Sequence, residues 1–91
     1  MIEFDSQSPS PRRSRLLVAD DSESIRALYK KLLAGDGHEV MAFADGVAAL
    51  AAVYEHRPDV VLLDVTMPRL DGLEVCRRLK SDPATRLTPV I

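Results

Sequence analysis

This 91-residue chain has a single cysteine, a small net charge and no long apolar run. The single cysteine, Cys76, excludes a disulfide within the chain, and nothing in cysteine usage suggests secretion. A net charge of -2 gives no electrostatic reason to bind nucleic acid or an anionic membrane. No apolar stretch approaches the roughly 20 residues of a membrane span, and the N-terminus lacks the apolar segment of a signal peptide. We therefore expect a soluble cytoplasmic protein that contacts neither nucleic acid directly nor a membrane.

The chain divides by composition into a tail and one domain. Residues 1–14 are rich in serine, proline and charge and show no hydrophobic periodicity, so we predict a disordered N-terminal tail. Residues 15–91 carry an ordinary globular balance of apolar and charged side chains. A chain of this length supports one small domain at most.

Three short segments of this domain are predicted strands. Residues 16–19 and Val60–Leu63 are uninterrupted apolar runs, which predicts burial on both faces of a parallel sheet. Glu39–Phe43 is a third strand, placed at a sheet edge because charged and turn residues flank it. The terminal Thr88-Pro89-Val90-Ile91 resembles the opening of a fourth strand.

Between the predicted strands, apolar residues recur with the spacing of an amphipathic helix. The first helix ends at residues 35–37, where glycine favours a C-terminal cap, and its predicted core stripe is Ile25, Leu28, Tyr29, Leu32 and Leu33. Asp45-Gly46 is interpreted only as the start of the second helix, whose predicted apolar face is Val47, Leu50, Ala51 and Tyr54. Asp71 and Glu74 have capping-box spacing for the third helix, whose apolar side is Leu73, Cys76 and Leu79.

Alternation of strand and helix predicts an α/β fold, a doubly wound parallel sheet with right-handed crossovers. Functional crevices in such sheets lie at the carboxyl ends of the strands. Asp20 and Asp21 follow the apolar run at residues 16–19, and Asp64 follows the apolar run Val60–Leu63. Three carboxylates at one sheet edge repel one another, so the pattern indicates a cation site. The alternative for Asp20 and Asp21 is capping of the first helix. His38 and His56 have no metal-ligand spacing, and Cys76 is interpreted as core.

Four segments resemble the receiver (phosphoacceptor) domain of bacterial two-component response regulators. They are LLVADDSESIR, FADGVAAL, PDVVLLDVTMPRLDGLEVCRRLK and TPVI, which together run from Leu16 to Ile91. The resemblance implies a flavodoxin-like sheet of order 2-1-3-4-5. It also implies a phosphoprotein of phosphorelay signal transduction, whose partner is a sensor histidine kinase or a phosphotransfer protein.

The resemblance further implies a role for each matching position. Asp64 would accept the phosphoryl group, and Mg²⁺ would be held by Asp21 and Asp64 directly, by Asp20 through water, and by the backbone carbonyl of Thr66. Pro68 and Gly72 would shape the loop after the acceptor. Such a domain is a signalling phosphoacceptor that catalyses only its own phosphorylation and dephosphorylation, not a turnover enzyme. A haloacid-dehalogenase-type phosphohydrolase is disfavoured, because that family has a second aspartate where Thr66 stands.

The sequence departs from the family pattern at its end. It stops after the start of the fourth strand, before the Ser/Thr of that strand, the Lys of the fifth strand, and the fourth and fifth helices. We therefore expect an incomplete receiver whose phosphorylation is slow and whose exposed sheet edge could pair in a homodimer. The alternative function is a truncated receiver that acts as a dimerisation or interaction module without efficient phosphotransfer.

Overall fold

The computed structural model describes residues 14–91, so the predicted tail lies outside the described residues except for Ser14. Strands and helices alternate along the rest of the chain, as the hydrophobic pattern predicts. The six elements are β1 (Arg15–Ala19), α1 (Glu23–Gly35), β2 (Glu39–Phe43), α2 (Gly46–His56), β3 (Val60–Leu63) and α3 (Gly72–Ser81). Within residues 14–91, no helix is both long and apolar enough to cross a bilayer.

The three strands form one parallel sheet in the order β2-β1-β3. In the register, Leu17 lies beside Met41 on one side and Val61 on the other. An isolated parallel bridge joins Val61 to Val90, where the sequence predicts a fourth strand to open. The predicted α/β class and the edge position of β2 are confirmed. A homodimer through a sheet edge stays a prediction.

The hydrophobic core lies on the face of the sheet that α2 and α3 cover. Leu17 and Val61 are completely buried there, and they pack with residues of both helices. The remaining buried members of this core are Ala19, Ala49, Ala52, Val53, Met67, Val75 and Leu79. Met67 is a loop residue that the helical and strand patterns do not identify. Its burial ties the loop after β3 to the core.

The predicted core stripe of α1 is wrong, because no residue of this helix is buried. Leu28 is 50% exposed and Leu32 is 57% exposed. The periodicity correctly predicts an amphipathic helix. It does not specify how much of the apolar face is covered, since that depends on the elements packed against it.

The predicted apolar faces of α2 and α3 are also partly wrong. In α2 the buried side chains are those of Ala49, Ala52 and Val53, while the predicted Val47 is 41% exposed. Nearly every residue of α2 is apolar, so periodicity cannot single out one face. In α3 the predicted Leu79 is buried together with Val75, Cys76 is half-buried, and Leu73 is 67% exposed.

Polar contacts hold the C-terminal ends of α2 and α3 together, away from the carboxyl edge of the sheet. The Tyr54 hydroxyl donates to Oδ2 of Asp82 at 2.6 Å. This hydrogen bond raises the pKa of Tyr54 and lowers the pKa of Asp82. The buried Thr85 hydroxyl donates to the carbonyl of Leu79 at 2.7 Å, and the same carbonyl accepts from the Asp82 amide that caps α3.

Candidate metal centre

The three predicted carboxylates meet at the carboxyl edge of the sheet. One ligand atom from each of Asp20, Asp21 and Asp64 can be chosen so that all three lie within 4.8 Å of one another. Backbone bonds that continue the sheet place two of these residues. The Asp20 amide donates to the Phe43 carbonyl at 3.0 Å, and the Asp64 amide donates to the Ala19 carbonyl at 2.8 Å. The cluster is therefore fixed by the ends of all three strands.

Asp20 is oriented by the turn between β1 and α1. Its Oδ1 accepts from the Ser22 amide at 2.9 Å, and its carbonyl accepts from Arg26 at 2.7 Å. The N-cap of α1 is Ser22, whose hydroxyl accepts from the Ile25 amide. Capping of α1, the alternative role considered for Asp20 and Asp21, is thus carried by Ser22. Asp20 is half-buried and Asp21 is exposed.

Asp64 opens the β3–α3 loop (residues 64–71). Its Oδ1 accepts from the Thr66 amide at 3.3 Å, so the loop itself orients the carboxylate. The loop closes where the Gly72 amide donates to the Val65 carbonyl at 2.9 Å. A Cβ atom at Gly72 would collide with the carbonyl oxygen of Asp64, so glycine is required for this approach. This contact gives a physical reason for the loop-shaping role predicted for Gly72.

The other polar residues considered from the sequence lie outside the cluster. Asp71 is the N-cap of α3, where its Oδ1 accepts from the Glu74 amide at 2.9 Å. The predicted capping box is only half formed, because the Glu74 carboxylate binds Arg77 and Arg78. These hydrogen bonds lower the pKa of Glu74 to about 2, and the bond from Arg77 has the larger effect.

A cavity of about 270 Å³ lies beside the carboxylates. Asp20 and Asp64 form its charged part, and the rest of its lining is aliphatic or aromatic: Val18, Ala19, Leu62, Leu63, Tyr29 and Ile91. Tyr29 was predicted as a core residue, and Ile91 as part of a strand. Neither prediction places them near the acidic site, because that proximity depends on how α1 and the residues beside Val90 pack on the sheet.

The donor set fits a hard divalent cation. All three side chains offer carboxylate oxygens, which Mg²⁺ prefers, and the span of 4.8 Å or less lets one small ion contact several of them. Two carboxylates at 4.8 Å repel by about 1 kcal/mol in water and by about 3.5 kcal/mol at an effective dielectric constant of about 20. A bound cation offsets that repulsion.

Residues 16–91 match the response regulator receiver domain as a family. The chain belongs to this family. It is therefore a receiver domain of the response regulators that act in two-component signalling. The strand order β2-β1-β3 and the acidic cluster at the carboxyl edge agree with this assignment.

Known receivers resemble the chain in sequence and in structure. The response regulator PleD of Caulobacter vibrioides is 46% identical over 78 residues, which are 86% of this chain and 17% of PleD. The N-terminal domain of a response regulator receiver protein from Methanoculleus marisnigri JR1 superposes with a TM-score of 0.81 at 39% identity. That match covers 85% of this chain and 63% of the other.

A third relative carries a metal. The receiver domain of a sensor histidine kinase from Pseudomonas aeruginosa PAO1 has a magnesium ion coordinated in its active-site cleft. It superposes with a TM-score of 0.81 at 25% identity, over 87% of this chain and 65% of the other. The chain spans less than two thirds of the length of each of these three proteins.

Proposed function

We propose that this receiver accepts a phosphoryl group on Asp64 from a phosphohistidine of a sensor histidine kinase or phosphotransfer protein. A carboxylate oxygen of Asp64 forms the new P–O bond while the P–N bond to histidine breaks. The imidazole leaves with the bonding electron pair and takes up a proton. The product is an acyl phosphate, so the protein is a signalling phosphoacceptor that acts only on its own phosphoryl group.

The same proposal assigns a Mg²⁺ site to the cluster. Asp21 and Asp64 would bind the ion directly, Asp20 through water, and Thr66 through its backbone carbonyl. Bound Mg²⁺ would neutralise the negative charges that meet when phosphate approaches a carboxylate. The chain's own residues supply the positioning, since Ser22 holds the Asp20 carboxylate and Thr66 holds that of Asp64.

The convergence of three carboxylates within 4.8 Å supports the proposal most directly. Nothing else in the described residues requires these charges to meet, because Ser22 and Asp71 cap the neighbouring helices. The magnesium ion in the P. aeruginosa receiver supports the choice of metal.

Asp64→Asn tests the acceptor. The protein is incubated with acetyl phosphate and Mg²⁺, and intact mass and peptide mapping follow the phosphoryl group. We expect incorporation at Asp64 in the wild-type protein and none in Asp64→Asn. Asp71→Asn is the matched control in the same loop, because asparagine also caps a helix. Wild-type levels of incorporation in Asp64→Asn, or none in the wild-type protein, would refute the proposal.

A further inference from the structure

The β3–α3 loop rests against the first residue of α2. A Cβ atom at Gly46 would collide with the carbonyl oxygen of Leu70 and come within 2.9 Å of the Leu70 side chain. Gly46 is buried, and the backbone fixes where a Cβ atom lies, so a methyl group there could avoid Leu70 only if the backbone shifted. The absence of a side chain at this position therefore lets the loop sit where it does.

A second tie joins the same two segments. Arg69 lies in the loop with a φ of 72°, a left-handed conformation that arginine rarely adopts. Its Nη1 lies 3.7 Å from Oδ2 of Asp45, the N-cap of α2. The other oxygen of Asp45 accepts from the Ala48 amide at 2.8 Å, so the carboxylate is held in place by the helix it caps. Asp45 can therefore act as a fixed anchor for the strained part of the loop.

These ties bear on the metal centre because the loop carries two of its four proposed ligands, Asp64 and Thr66. Asp64 is also held by the sheet, through its amide bond to Ala19. Thr66 lies beyond the end of β3 and its side chain is exposed, so its position depends on the rest of the loop, in which Met67 is anchored in the core. The loop is closed by Gly72, two residues after Leu70. A displaced Leu70 would shift the segment that contacts the Asp64 backbone.

We propose that the N-terminus of α2, through Gly46 and Asp45, is a positioning element that sets the Mg²⁺ affinity of the receiver by holding the β3–α3 loop. The inference rests on the proposed function and adds residues of a helix that contributes no metal ligand. Asp45 and Gly46 thereby have a role beyond the helix start that their sequence pattern predicts.

Gly46→Ala is the first test, with Gly35→Ala as the matched control. Gly35 is also helical, but a Cβ atom there would meet nothing within 4 Å. Mg²⁺ titration of the full 91-residue chain, with magnesium chloride as the only ligand, should show affinity weakened at least about tenfold in Gly46→Ala and unchanged in Gly35→Ala. Hydrogen exchange of the Gly72 amide in metal-free protein should accelerate only in Gly46→Ala, because that amide closes the loop.

Arg69→Gln is the second test and does not depend on whether Gly46→Ala folds. Loss of a positive charge from the loop that carries Asp64 would by itself reduce the repulsion of a cation and so would not weaken Mg²⁺ binding. A loosened loop weakens it, so we expect weaker binding and faster exchange of the Gly72 amide. Arg86→Gln removes the same charge at an exposed position outside the loop and should leave both readouts unchanged.

The outcomes separate this inference from the proposed function. Unchanged Mg²⁺ affinity in folded Gly46→Ala, or equal or tighter binding in Arg69→Gln, would overturn the positioning role while the metal site stands. A wild-type chain that does not bind Mg²⁺ would overturn the proposed function and this inference together. Weaker binding with faster Gly72 exchange in both variants, and in neither control, would establish it.

Discussion

Asp21→Asn should make the metal-free protein more stable. The Asp21 side chain forms no hydrogen bond or ion pair within residues 14–91, so the substitution removes charge without breaking a contact. Asp20 and Asp21 are neighbours in sequence, and their repulsion persists in the unfolded chain. Within the acidic cluster, folding adds for Asp21 the repulsion from Asp64, whose oxygens lie within 4.8 Å.

The size of the effect follows from that one pair. At 4.8 Å the repulsion is about 1 kcal/mol in a water-like dielectric, which is the better estimate because Asp21 is exposed. For a domain of this size, about 1 kcal/mol raises the Tm by about 4–8 °C. With Mg²⁺ at about 100 times its Kd, the wild-type protein should gain about 2.7 kcal/mol, whereas the variant lacks one of the proposed direct ligands. The order of stability should therefore reverse on adding Mg²⁺.

Thermal melts followed by circular dichroism, in EDTA and in a series of Mg²⁺ concentrations, measure both effects. Asp36→Asn is the control, because Asp36 is the exposed C-cap of α1 and lies outside the acidic cluster. It should keep the full Mg²⁺ response. A Tm of Asp21→Asn in EDTA that is equal to or below that of the wild-type protein would contradict the repulsion between Asp21 and Asp64. Equal stabilisation of both proteins by Mg²⁺ would contradict the proposed role of Asp21 as a ligand.

Two further predictions concern α3, the helix that follows the β3–α3 loop. The pKa of Glu74 is about 2 in the folded protein, below its ordinary value of 4.5, because Arg77 and Arg78 bind the carboxylate. The stability that these contacts give is therefore full above about pH 4.5 and is lost as the pH falls towards 2. Glu74→Gln should therefore reduce the urea midpoint near pH 6, and its difference from the wild type should shrink near pH 3. Leu79→Ala removes a completely buried side chain and should lower the free energy of unfolding, measured by urea titration, by about 2–5 kcal/mol. Leu73→Ala is the control, because Leu73 is 67% exposed and its loss should change the stability little.

Much of the fold follows from local patterns in the sequence. The predicted strands at residues 16–19, Glu39–Phe43 and Val60–Leu63 agree with the structure to within one residue, because apolar runs bounded by turn residues leave few alternatives. The caps at Asp45 and Asp71 were also predicted, since capping depends on residues within one turn.

Helix faces were predicted less well, because burial depends on neighbours that no local pattern specifies. The apolar stripe of α1 is largely exposed, and α2 buries the small side chains of Ala49 and Ala52 in place of Val47. Met67 and Thr85 are buried outside any periodic segment. Met67 packs in the core cluster, and the Thr85 hydroxyl binds the Leu79 carbonyl at the end of α3.

The acidic cluster was predicted because parallel strands must end at a common edge, which brings Asp20, Asp21 and Asp64 together. The contact between Gly46 and Leu70 was not. The two residues are far apart in sequence, and a glycine at a helix start has a sufficient local explanation. Only the geometry of the folded loop shows that a side chain at Gly46 would displace it.

The most direct test of Mg²⁺-dependent phosphorylation at Asp64 measures metal binding and phosphorylation in one preparation, each as a function of Mg²⁺ concentration. Direct titration gives the occupancy of the metal site, and quantitative mass spectrometry gives the initial rate of phosphoryl incorporation at Asp64 from acetyl phosphate. Both curves should rise with the same midpoint, and both should be lost in Asp64→Asn. Phosphorylation of Asp64 that is independent of Mg²⁺, or phosphate on another residue, would contradict the proposed function.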